Sequence, residues 1–101
     1  MKLVIVTAVE QFHEEIIKLF KKADIKNFSE SDIEGYKKAP ALLSSSNWFA
    51  AERSGTDSIM LFSFTEKEKI DQLFALLEEF NNNMESNNPI KAVVLPIERF
   101  I

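Results

Sequence analysis

The chain has 101 residues, of which 46% are hydrophobic, with nine Phe, no cysteine and a formal net charge of −4. That length is one domain spanning residues 1–101, and a domain of this size buries roughly 60–70% of its unfolded surface, enough for a single core. The apolar content excludes wholesale disorder, the acidic balance argues against nucleic acid as a partner, and the lack of cysteine excludes disulfides, thiolate metal sites and a thiol nucleophile.

Met1-Lys-Leu-Val-Ile-Val opens an apolar stretch that ends at Val9. It is too short to span a membrane and has no clear cleavage site, so it reads as a strand and not as a signal. Leu3, Ile5 and Thr7 fall on one side of that strand and Val4, Val6 and Ala8 on the other, the pattern of a strand buried on both faces. Gln11 to Ala23 has helical spacing, with Phe12, Ile16, Leu19, Phe20 and Ala23 as the inner stripe. Glu10, Glu14 and Glu15 open this helix and Lys18, Lys21 and Lys22 close it, which suits the helix dipole and reads as a solvated face.

Phe28 to Tyr36 is a polar strand whose charges suit a sheet edge. Lys37 to Asp57 follows, a connection too long to be a passive turn. It holds Pro40, Ser44 to Ser46, Trp48-Phe49, and Arg53 to Asp57, which look like a turn with Gly55 free to take positive φ. A short strand over residues 47–52 would compete with Phe28 to Tyr36 for the edge of the next strand.

That next strand, Ser58 to Phe64, is the most apolar run after the first. Thr65 and Glu68 have capping-box spacing, and Ile70, Leu73, Phe74, Leu77 and Phe80 then make one helix face. Asn81 to Pro89 reads as a polar loop, and Ile90 to Ile97 as a last strand, with Pro96 pointing to an edge. The order β-α-β-β-α-β predicts an α+β, ferredoxin-like sandwich: a four-stranded antiparallel sheet with two helices on one face and the first and third strands central. Met60, Phe62 and Phe64, with the first strand's second apolar side, would then face away from the helices. An uncovered apolar sheet face marks an interface, so a homo-oligomer joined through sheet surfaces is expected.

The sequence resembles the PII-like family of trimeric signalling proteins over most of its length. Met1-Lys-Leu-Val-Ile-Val resembles the family's opening strand. Asp32-Ile-Glu-Gly35-Tyr36 resembles the acidic-aliphatic-x-Gly-aromatic end of its second strand. Lys37 to Asp57 stands where the family has its long T-loop, and Ile90-Lys91-Ala-Val-Val-Leu-Pro-Ile97 resembles its last strand. The resemblance implies a ferredoxin-like homotrimer in the cytoplasm, regulatory and not enzymatic. Such a protein senses a small effector in clefts between subunits and docks its loop on a transporter or enzyme. It implies Gly35, Tyr36 and Lys91 as effector-cleft residues, and Lys37, Lys38, Trp48, Phe49 and Arg53 as partner-loop residues, with Trp48 and Phe49 as anchors. The chain departs from the family in Asn81 to Pro89, which contains no glycine where the family's phosphate-contacting loop is glycine-rich. Weak or absent ATP binding is the expectation that follows. No tyrosine lies inside the loop, so the family's tyrosine modification is not implied.

Other chemistries find little to work with. His13 is the single histidine, placed as a surface residue, and a transition-metal site would need more imidazole or thiolate. Trimeric CutA-type metal-tolerance proteins share the expected fold, and Asp32 with Glu34 could reach one hard cation from one strand face, though a charged edge strand explains them as well. An acylphosphatase-like hydrolase would need a phosphate-cradling loop after the first strand and an arginine in the helix; Thr7-Ala-Val-Glu-Gln11 supplies neither. Ser44 to Ser46 have no positioned base. No metal and no cofactor are expected.

Overall fold

The computed structural model describes residues 1–36, 56–84 and 87–101, with Thr56 described by its backbone alone. The strands and helices are β1 (Lys2–Val9), a 3-10 turn (Glu10–Phe12), α1 (His13–Lys22), β2 (Ser29–Gly35), β3 (Thr56–Thr65), α2 (Lys67–Asn83) and β4 (Lys91–Pro96). They form a four-stranded sheet in the order β2-β3-β1-β4, and every adjacent pair is antiparallel. This is the ferredoxin-like arrangement expected from the sequence.

Strand pleating divides the sheet into two faces. Val4, Val6 and Ala8 of β1, with Ile59 and Leu61 of β3, turn toward the helices and are buried to 1% exposure or less. They pack with Ile16 and Phe20 of α1 and Ile70, Leu73 and Leu77 of α2 in one continuous core. Phe20 stacks on Phe28 with ring centroids 4.9 Å apart, and Phe12 meets Phe80 edge-on at 5.5 Å. Ser63 also turns inward, and its buried hydroxyl donates to the Asn27 carbonyl at 2.6 Å.

Helix α1 ends in a Schellman motif. The Ile25 N–H donates to the Phe20 carbonyl and the Asp24 N–H to the Lys21 carbonyl, both at 3.0 Å. Asp24 takes the left-handed conformation there, at φ 61°, which a short polar side chain tolerates better than most. Ile25, the next residue, is driven into the core.

The capping box expected at Thr65 and Glu68 does not form. Thr65 is consumed by the ladder, paired with Lys2. The helix starts one residue later on Glu66, whose side chain makes no cap hydrogen bond. The Glu66 backbone carbonyl instead accepts from Lys69 N–H at 3.1 Å and Ile70 N–H at 3.2 Å. The third strand also begins earlier than expected. Thr56 and Asp57, read as part of a turn, are its first residues, opposite Gly35 and Glu34. Phe28 to Tyr36 supplies the edge strand: β2 and β1 occupy the two sides of β3 from Ser58 to Phe62. The alternative strand at 47–52 lies outside the described residues. Helix α2 runs through Asn83, so Asn81 is helical and not in a loop.

Candidate functional site

The open face of the sheet is built from rungs. Leu3 lies opposite both Phe64 and Leu95, Ile5 opposite Phe62 and Val93, and Thr7 opposite Met60 and Lys91. The outermost rung is the most open, with Phe64 57% and Leu95 41% exposed. Ile5, Phe62 and Val93 are half-buried, and Phe62 meets Phe64 edge-on at 6.3 Å. Two successive rungs are thus apolar across three strands, with no element of the described chain packed over them. The third rung is polar at Thr7 and Lys91 and lies toward the end of the sheet from which β2 leads into residues 37–55.

Gly35 and Lys91 stand at that end but on opposite edges. Gly35 closes β2, buried, opposite Thr56. Tyr36 follows, 56% exposed. Lys91 opens β4, half-buried, and makes no ion pair among the described residues. β3 and β1 separate the two edges, about 14 Å at ordinary strand spacing. One subunit therefore does not bring the three expected effector-cleft residues together. Lys37, Lys38, Trp48, Phe49 and Arg53, expected on the partner loop, lie outside the described residues, as do Ser44 to Ser46.

The start of β4 is fixed by a residue that the sequence does not single out. The Asn81 side chain donates to the Ile90 carbonyl at 2.9 Å and accepts from the Ile90 N–H at 2.8 Å. This amide clamp copies one rung of a β-ladder and positions Lys91. An open groove of about 260 Å³ runs beside it, bordered by Phe74, Leu77, Asn81 and Lys91. The clamp joins residues nine apart, which no helical or strand periodicity reveals.

His13 is half-exposed, as expected of a surface residue, and it has a partner across the chain. Its Nε2 lies 2.8 Å and 3.0 Å from the two carboxylate oxygens of Glu30 on β2. Hydrogen bonding to Glu30 raises the His13 pKa above its ordinary value, against a small opposing effect of burial; the charges of Glu30, Glu14 and Glu10 add to the rise. Glu30, Asp32 and Glu34 alternate along β2 on the helix side, and Glu34 stands directly opposite Asp57. Among the described residues no group of three or more His, Asp or Glu side chains is placed to hold a metal ion. Nor, among them, is any helix long and apolar enough to cross a membrane.

No protein-family model matches the sequence, and no curated protein matches it significantly. Solved structures do share its fold. The structure of CPII bound to ADP, AMP and acetate, from Thiomonas intermedia K12, superposes with a TM-score of 0.69 at 16% identity, covering 95% of this chain and 84% of that one. The apo form of the same organism's CPII, a nitrogen regulatory PII-like protein, superposes with a TM-score of 0.64 at 16% identity, covering 95% and 87% of the two chains. The chain therefore has the fold of PII-like proteins.

Proposed function

We propose that the chain is a PII-like regulator and not an enzyme. It assembles as a homotrimer through the open sheet face, senses a small effector between subunits, and presents residues 37–57 to a transporter or enzyme partner. The observation that carries this reading is the pair of apolar rungs, Leu3-Phe64-Leu95 and Ile5-Phe62-Val93, left uncovered on a fold shared with a nitrogen regulatory protein. An apolar face of that extent is covered in solution by protein. Assembly also resolves the separation of the effector-cleft residues. Gly35 and Tyr36 at one edge and Lys91 at the other meet a common ligand only where the β2 edge of one subunit adjoins the β4 edge of the next.

CPII binds ADP and AMP, so adenine nucleotides are the first effectors to try. Equilibrium dialysis against labelled ADP, with the wild-type chain and a Phe64→Asp variant that breaks the apolar face, tests the reading. Binding by the associated wild type and none by the dissociated variant is expected. Equal binding by both would contradict a cleft between subunits.

A further inference from the structure

Thr7 is the one residue of the open face whose chemistry its surroundings do not explain. It is 2% exposed, and its hydroxyl oxygen is buried without a hydrogen-bond partner. It sits mid-rung between two longer side chains, Met60 on β3 and Lys91 on β4. The other buried hydroxyl with a stated role, Ser63, makes a short bond to Asn27, so this chain does satisfy such groups where structure alone is served. An unmade hydrogen bond at a buried hydroxyl costs about 1–3 kcal/mol. Valine has the same shape and would fill the space without that cost, so stability alone argues against threonine at this position. Violations of this kind are expected at functional sites.

Beside the orphan hydroxyl stands Lys91, half-buried and without an ion pair among the described residues. A hydroxyl that lacks an acceptor and an ammonium that lacks an anion, adjacent on one sheet face, call for the same group. We propose that Thr7 and Lys91 together hold one oxyanion of the effector, a carboxylate or phosphate group whose oxygen accepts from the Thr7 hydroxyl while its charge is met by the Lys91 ammonium. The Lys91 side chain, long and not pinned by an ion pair, moves aside to admit it. The inference deepens the effector-cleft reading above and rests on it. It adds Thr7 as a binding residue and defines the chemistry of the ligand.

Calorimetric titration of the assembled chain with acetate, inorganic phosphate and ADP tests this, using wild type, Thr7→Val, Thr7→Ser and Lys91→Gln. The arms separate a free carboxylate, a free phosphate and a nucleotide phosphate as the source of the oxyanion. For whichever probe binds, Thr7→Val and Lys91→Gln are each expected to weaken affinity about tenfold or more, the scale of one hydrogen bond to a charged group. Thr7→Ser retains it. Thr7→Val is also expected to melt at or above the wild-type temperature, with its assembly state by sedimentation unchanged. ADP binding that Thr7→Val leaves intact would overturn the inference while the effector cleft stands. A wild type that binds none of the probes would overturn both. Loss of assembly in Thr7→Val would make Thr7 an interface residue and overturn the ligand role.

Discussion

The two faces of β1 are close to equal in sequence and unequal in fate. Val4, Val6 and Ala8 are fully buried beneath the helices, whereas Leu3 and Ile5, one residue away along the same strand, are only half-covered. The difference lies in what each face meets. The helices α1 and α2 close over one side and complete a core inside a single chain. The other side carries as much apolar surface and receives no described element. An amphipathic sheet needs only one apolar face to fold. The second is surplus to the folding of one chain, and it reads as the surface of an assembly.

Substitutions at matched positions on the two faces sharpen that contrast. Phe20→Ala on the covered side, which also loses the Phe28 stack, is expected to destabilise the chain by about 3–5 kcal/mol in denaturant titration. A loss below about 1 kcal/mol would mean that the core is looser than its burial indicates. Asn81→Ala is expected to cost about 1–3 kcal/mol, because the Ile90 backbone groups are left buried without partners. Exchange protection should fall first at Ile90 and along β4, the strand that carries Val93 and Leu95 to the open face. Phe64→Ala on the open side is expected to change the stability of the dissociated chain by less than about 1 kcal/mol while weakening association. A large loss of stability with association intact would reverse the assignment of the two faces.

The smallest expected effect lies at the rim between the faces, where His13 meets Glu30. The His13 pKa is raised in the folded chain, so the contact's contribution is full below the unfolded value of about 6.5 and is lost as pH rises through the higher folded value. The pair is partly exposed and is worth less than about 1 kcal/mol. The stability advantage of wild type over His13→Gln, measured by denaturant titration, should be present at about pH 5.5 and gone at about pH 8.5. An advantage that grows with pH would mean that His13 is held neutral.

Local pattern carried most of the fold into the sequence. Alternation marked β1 and β3 as central, charges marked β2 as an edge, and helical spacing found both helices. The open face was legible too, because Met60, Phe62 and Phe64 alternate with Ile59 and Leu61. The features that escaped notice were pairings set by tertiary structure. Asn81 clamps Ile90 across nine residues, His13 reaches Glu30 across seventeen, and Ser63 finds Asn27 across thirty-six. The capping box at Thr65 failed for a related reason, since the ladder to Lys2 competed for the same residue and won. Thr7 was visible as a residue, but its missing partner appears only once Met60 and Lys91 are seen to flank it. The effector-cleft residues Gly35 and Lys91 were legible one by one, whereas their placement on opposite edges required the strand order.

Sedimentation equilibrium of the wild-type chain at micromolar concentration tests most directly whether the open face is a subunit interface. The account predicts a single species of three times the chain mass that dissociates when Phe64 is changed to Asp. A wild-type chain that remains a stable monomer at that concentration would contradict it, leaving the two apolar rungs exposed and without a function.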